Sequence, residues 1–248
     1  MCTSLVVLHP TWMDRTDVQS QNWHRCAKLL ASHRRESEAA MEEPRRRSDG
    51  EQTHAAILET AMQLASIEGL SSLTIGRLAN EVGVSRSGVF AHFRSKQRLQ
   101  QETIAAAQDV FEREVVRPGL DAPEGLAQLE GFCEAYLSYV EREVFPGGCF
   151  FAQLLAEFDA PDGVIHDEVV TFQQGGMALL EGLIVTAQEH GDLDPDVEPG
   201  QLAFELYAPL ELANYFSTLH RDPGIIDRGR KAVQAAIANA RARDAVGS

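Results

Sequence analysis

The chain has 248 residues, 44% of them hydrophobic and 24% charged, with a formal net charge of −15, a length that allows one or two domains around a sizeable core. Four scattered cysteines, Cys2, Cys26, Cys133 and Cys149, give neither a disulfide framework nor a CxxC metal site, which fits a reducing cytoplasm. No run of about 18 apolar residues occurs and residues 1–13 lack a basic leader, so neither a membrane span nor a signal peptide is expected.

The charge is unevenly spread. Residues 44–98 hold 8 Lys and Arg against 5 Asp and Glu, a net of +3, whereas residues 99–248 hold 9 against 26, a net of −17. The basic stretch suits a phosphate surface, and the acidic remainder would be repelled from DNA and favour cationic small molecules. An acidic face is also what any solvated helix carries.

In chain order, residues 1–47 show no steady apolar period and read as a disordered extension or as sequence upstream of a start near Met41. Arg45, Arg46 and Arg47 read either as a solvated run or as an arm on DNA. Ser48-x-x-Glu51 has the form of a capping box, and Ile57, Leu58, Ala61, Leu64 and Ala65 form the stripe of a first helix that Gly69 closes. Thr74 caps a short second helix with Leu78 and Val82 on one face and small Ala79 where another helix can cross. Gly83 supplies the left-handed turn. Ser85 caps a third helix carrying Arg86, Ser87, Gly88, Val89, Phe90, His92 and Phe93. Two short helices joined by about four residues have the geometry of a helix-turn-helix, whose second helix enters the major groove by its N-terminal residues.

Ser95 caps a fourth helix expected to run to about 116, where Pro118-Gly119 stops it. Asp121-x-x-Glu124 with Pro123 starts a fifth, whose Leu126, Leu129, Phe132, Cys133, Tyr136, Leu137 and Val140 recur at helical spacing. Pro146-Gly147-Gly148 precedes a short apolar helix over 149–158. Helices over 164 to about 190, 199 to about 220 and 223 to about 243 follow, which makes about nine helices and no alternating strand pattern. The expected fold is all-α: a tri-helical DNA-binding domain over 48–98, a helical bundle over 99–243 and a tail at 244–248.

The order of the first three helices, followed by the run His92-Phe93-Arg94-Ser95-Lys96, resembles the TetR-type bacterial regulators over residues 52–99. Phe90 stands where that family usually has Tyr, so a phosphate contact by that hydroxyl does not carry over; Arg98 stands where an acidic residue is frequent. The resemblance implies a homodimeric transcriptional regulator, a ligand-responsive repressor on a palindromic operator, with double-stranded DNA, a second copy and a small-molecule effector as partners, in the cytoplasm and without a membrane partner. From their place on the helices, Arg86 and Ser87 are the expected base readers, Thr74, His92 and Lys96 the expected phosphate ligands, and Gly88 the point of close backbone approach, with Ser85 and Phe90 on the same surface. The effector site that the resemblance implies would draw on Phe132, Tyr136, Phe150, Phe151, Leu154 and Phe172. A dimer interface is expected on the last two helices, through Leu202, Leu206, Leu210, Ala213 and Phe216 on one and Val233, Ala236, Ile237 and Ala240 on the other. The competing account puts these stripes on the inner face of the monomer.

Enzymatic motifs are wanting. Gly83-Val84-Ser85-Arg86-Ser87 misses the G-x-S-x-G elbow at its last position, and there is no P-loop or HExxH. His166, Asp167 and Glu168 are adjacent on a helix and point in different directions, so no metal site or cofactor is expected. Cys149 reads as a small core residue, with a redox thiol as the alternative. A helical metabolite-binding module or enzyme with a vestigial helix-turn-helix is the competing class.

Overall fold

The computed structural model describes residues 49–159 and 163–241. The expectations for residues 1–47, the Ser48 cap and the tail at 244–248 fall outside the described residues. Among the described residues there are nine helices and no strand. They are α1 (Asp49–Glu68), α2 (Ile75–Val82), α3 (Arg86–Phe93), α4 (Lys96–Phe111), α5 (Leu126–Glu141), α6 (Phe150–Glu157), α7 (Val164–Glu189), α8 (Pro199–His220) and α9 (Gly224–Ala240).

The first three helices and the start of α4 form one small core. Ile57, Ala61 and Ala65 of α1 meet Leu78 and Ala79 of α2, Val89 and Phe93 of α3 and Leu99 of α4, all buried. Their ends are closed by local chemistry. Thr74 Oγ1 accepts from the Arg77 N–H at 3.2 Å, Ser85 Oγ from Gly88 at 3.0 Å and Ser95 Oγ from Arg98 at 3.1 Å, each satisfying an otherwise orphaned amide of a first turn. Gly83 ends α2 at φ 75°, ψ 27°, a conformation that costs a residue with a Cβ.

Two helix boundaries differ from expectation. Pro118 does not end the fourth helix: α4 passes into a π-helical stretch, Glu112–Val116, and a further turn, Arg117–Leu120, with Pro118 in its first turn. The proline, which cannot donate, falls in the turn directly after the π-helical irregularity, where the regular hydrogen-bond ladder is already shifted. Gly119 lets α5 lie against this turn, since an added Cβ would stand 2.6 Å from Phe132 Cα. The capping box at Asp121 is also unused. Helix α5 starts at Leu126, whose N–H donates to Asp192 Oδ2 at 3.1 Å, so a residue 66 positions away closes this end.

Helix α7 is the one described helix long and apolar enough, by length and composition, to cross a membrane; here it packs on α5, α6 and α8. Helices α8 and α9 cross closely where Gly229 meets Ala213, an added Cβ lying 2.6 Å from Ala213 Cβ.

That pairing corrects the expected interface. Leu202, Leu206, Leu210, Ala213, Val233, Ile237 and Ala240 are buried within the single chain, and Ala236 is half-buried. The stripes face the chain's own core. Phe216 alone of the nine is exposed, and the outer face of α8 carries Phe204, Leu212 and Leu219 at 63%, 51% and 73% exposure.

Candidate functional site

Thr74, Ser85, Arg86, Ser87, Phe90 and Lys96 are all exposed, and Gly88 and His92 are half-buried. Capping dictates part of this surface. The Ser85 hydroxyl holds the start of α3 and lies 3.0 Å from the Ser87 hydroxyl. The space at Gly88 is limited on the side of that cap, since a Cβ there would sit 3.3 Å from Ser85 Oγ. Phe90 is 54% exposed, leaving a large apolar ring in water on the outer face of α3. His92 lies tilted against His54 and Phe93, with ring centroids 5.7 and 6.2 Å away.

The basic side chains fall into two groups. Arg77 is held by Glu68 and Arg98 by Glu102. Arg86 and Arg94 make no ion pair among the described residues, and Lys96 donates only to the Ser71 carbonyl at 2.5 Å. The Arg86 guanidinium lies over Gly76, 3.2 Å from where a Cβ would be. Sequence reading did not pick out Arg94 as a site residue. It ends α3 with a left-handed φ of 60°, which turns the chain there and leaves its side chain exposed beside His92.

In the bundle, four of the six residues expected to line an effector site form one aromatic group. Phe151 stacks on Phe172 at 3.5 Å, Phe150 meets Phe151 edge-on at 5.3 Å, and Phe111 lies 6.4 Å from Tyr136, 6.0 Å from Phe151 and 5.4 Å from Phe172. Leu154 is buried on α6. Phe132 makes no ring contact with this group and instead backs onto Gly119. Phe111, Tyr139 and Glu211 belong to the group and were not singled out in the sequence, where a Phe near a helix end and a Glu within α8 look like solvated positions.

Tyr136 donates its hydroxyl to Glu211 Oε1 at 3.1 Å. Burial raises the Glu211 carboxyl above its ordinary range, while the Tyr136 and Tyr207 hydroxyls draw it partly back. Cys149 is buried beside them, its N–H donating to Asn214 Oδ1 at 2.7 Å. Its thiol is pushed up to about 12, by burial first and then by the Glu211 carboxylate. A reactive cysteine needs the opposite shift, so this one packs.

Helix α6 touches both this aromatic group and the reading head. Its last residue, Glu157, accepts the Leu70 and Ser71 amides at 2.6 Å each, capping the short turn between α1 and α2. Just before α6, Gly147 lies so close to Ser66 that an added Cβ would be 1.7 Å from its carbonyl oxygen. Elsewhere His166 pairs with Asp167 at 3.2 Å while Glu168 accepts from Gln101 at 2.6 Å, so the side chains of that triplet diverge.

A capped helix-turn-helix with an uncompensated basic surface, joined to a helical bundle, defines a class of DNA-binding regulator, and comparison with known proteins gives the family. Residues 57–103 match the model of the bacterial regulatory proteins of the TetR family, and residues 125–233 match the tetracyclin-repressor-like C-terminal domain. The chain belongs to the TetR family of transcriptional regulators. It is 29% identical over 147 residues to the HTH-type transcriptional regulator SrpR of Pseudomonas putida, covering 59% of this chain and 66% of that one. It is 34% identical over 56 residues to AcrR of Shigella flexneri, covering 23% of this chain and 26% of that one. The chain thus spans less than two thirds of either curated relative. The fold is shared more widely: a TetR transcriptional regulator from Chloroflexus aurantiacus superposes with a TM-score of 0.72 at 19% identity, covering 77% of this chain and 97% of that one.

Proposed function

We propose that this regulator is an effector-responsive repressor that grips an inverted-repeat operator as a homodimer in the cytoplasm. Residues 48–98 serve as the reading domain and 99–243 as the effector and dimerisation domain. The observation that carries the effector response is helix α6, which contributes Phe150 and Phe151 to the aromatic group and caps the reading head through Glu157. A ligand that displaces the rings would shift the cap, and with it the spacing of two heads on DNA.

On the operator, Arg86 and Ser87 read base edges, and Phe90 meets a thymine methyl group. Thr74, His92, Arg94 and Lys96 hold phosphates, and Ser85 and Gly88 set the start of α3. The second copy binds the outer face of α8, through Phe204, Leu212, Phe216 and Leu219. Two identical heads about a two-fold axis require a site of matching symmetry.

Operator selection followed by salt-dependent retention on the selected and a scrambled duplex tests this reading. Arg86→Ala should weaken specific binding by about 1–3 kcal/mol and relax base preference, whereas Lys96→Ala should weaken both duplexes alike. Equal losses on both duplexes for Arg86→Ala would remove its base-reading role. A selection that returns only an asymmetric half-site would remove the dimeric grip. Absence of any salt-dependent retention would favour a metabolite-binding module or enzyme with a vestigial helix-turn-helix. Repression is read from a reporter behind the selected site, and higher expression with the regulator present would make it an activator.

A further inference from the structure

Among the described residues, two bundle oxygens are closed to solvent and lack a hydrogen bond of good geometry: Glu211 Oε2, and Tyr139 Oη, which has only the Phe150 amide and the Cys149 thiol close by. Tyr139 is only 1% exposed. Such groups are costly to leave unpaired and are rare in folded chains. These two share one neighbourhood. Tyr136 bonds Glu211 and its ring lies 6.2 Å from that of Tyr139, and Glu211 acts on the Cys149 thiol, which acts in turn on the Tyr139 hydroxyl.

No cationic side chain pairs with Glu211 among the described residues. Its polar neighbours are tyrosines, and a hydroxyl can share a carboxylate's charge without neutralising it. Beyond them lies a wall of rings around Phe111, which is 5.9 Å from Tyr139, 6.0 Å from Phe151 and 5.4 Å from Phe172. Directly after Phe111 the backbone passes from α to π hydrogen bonding, an irregularity frequent at functional sites. Helix α7, which brings Phe172 to these rings, is thinly covered over this stretch. Between Val169 and Leu180 no residue of α7 is buried, and a Cβ added at Gly175 or Gly176 would meet nothing within 4 Å.

We propose that Glu211 Oε2 and Tyr139 Oη form the seat of a protonated primary or secondary amine carried on an apolar, ring-bearing body. The inference rests on the reading of this bundle as an effector domain and adds the chemical class of the effector. One ammonium supplies an N–H to each unpartnered oxygen, since a tyrosine hydroxyl accepts as well as donates. The carboxylate gains the counter-charge it lacks, and Phe111, Tyr136 and Tyr139 offer ring faces to the cation and ring faces and edges to the body behind it. A neutral ligand would leave the carboxylate uncompensated, and an anion would be repelled by it. The net charge of −17 over residues 99–248 draws the same class of ligand towards the bundle.

Isothermal titration of the full chain with 4-phenylbutylamine, the isosteric 4-phenylbutan-1-ol and the N,N,N-trimethyl analogue tests the class. The amine should bind once per chain, about tenfold or more tighter than the alcohol or the quaternary analogue, because only it brings both charge and N–H donors. Glu211→Gln should lower amine affinity by about tenfold or more while changing that for the alcohol less than about twofold. The same variant should melt no lower than the parent at pH 7.5, because it removes a charge whose inner oxygen is cut off from solvent, whereas a purely structural Glu211 would lower it. Tyr139→Phe should weaken the amine by a smaller factor. An amine that fails to bind, that binds no better than the alcohol, or that binds Glu211→Gln undiminished overturns the proposal. A quaternary analogue that binds as tightly as the amine overturns the hydrogen-bonded seat. Operator retention measured on the same samples separates the two readings. Amine binding that leaves DNA bound removes the effector response and keeps the site; intact operator binding released by another class of ligand removes the amine and keeps the regulator.

Discussion

The reading head and the bundle are both helical, yet they satisfy their polar groups over different distances along the chain. In the head, Thr74, Ser85 and Ser95 each cap a helix three residues ahead. In the bundle Glu198 caps α8 in the same local way, but the other comparable bonds join distant segments: Leu126 to Asp192, Cys149 to Asn214 and the Ala152 carbonyl to the Tyr215 hydroxyl. A region wired locally loses one cap when one residue changes. A region wired at long range couples its helices, so one change is felt on several, which suits a domain that must transmit a ligand's arrival.

The largest effect expected from that contrast concerns two neighbours on α8. Leu210 is buried and Leu212 is 51% exposed. Leu210→Glu should place an unpaired charge in the core and cost on the order of 4 kcal/mol or more, leaving little folded chain. Leu212→Glu should keep the helix content and melting temperature of the monomer while shifting the chain from dimer to monomer. Circular dichroism and analytical ultracentrifugation read both, and a Leu212→Glu protein that stays dimeric would move the interface off the outer face of α8.

A smaller loss tests the long-range wiring itself. Asn214 is buried and accepts the Cys149 amide at the start of α6, where Gly148 leaves it room. Asn214→Ala should cost about 1–3 kcal/mol, because the amide stays buried without a partner. Thermal melts give the magnitude. Hydrogen exchange should show the loss spread over α6 and α8, and protection lost at Cys149 alone would contradict coupling through this bond.

The smallest effect belongs to the head. Ser85→Ala should cost about 1 kcal/mol, since it removes one cap and α3 is still held by buried Val89 and Phe93. Exchange should quicken at the first turn of α3 and hardly elsewhere. Quickening that reaches α5 would show the head to be as widely coupled as the bundle.

The head was legible because its signals are short-range. Thr74, Gly83, Ser85 and Ser95 each specify a boundary from their own conformational and hydrogen-bonding preferences, and the structure uses all four as expected. The bundle's helices were legible from their period, but two of their ends were not. Pro118 is a stop signal that a π-helical stretch bypasses, and the Asp121 capping pattern is displaced by Asp192 from the end of another helix. Of the aromatic group, Tyr136, Phe150, Phe151 and Phe172 stood out as rings on apolar faces. Glu211 did not, since in the linear order it is one more acidic residue on an acidic helix.

By itself the sequence determined an all-α chain, a helix-turn-helix with its caps and the surface of α3, because each follows from preferences acting within a few residues. Only the tertiary structure decided which way the stripes of α8 and α9 face, which arginines keep an uncompensated charge and which half-buried carboxylate turns an oxygen inward without a counter-ion. An apolar stripe specifies that a face is buried, not against what. Leu206 fits a neighbouring helix of its own chain as well as it fits another copy, and the packing of α8 on α9 takes it first.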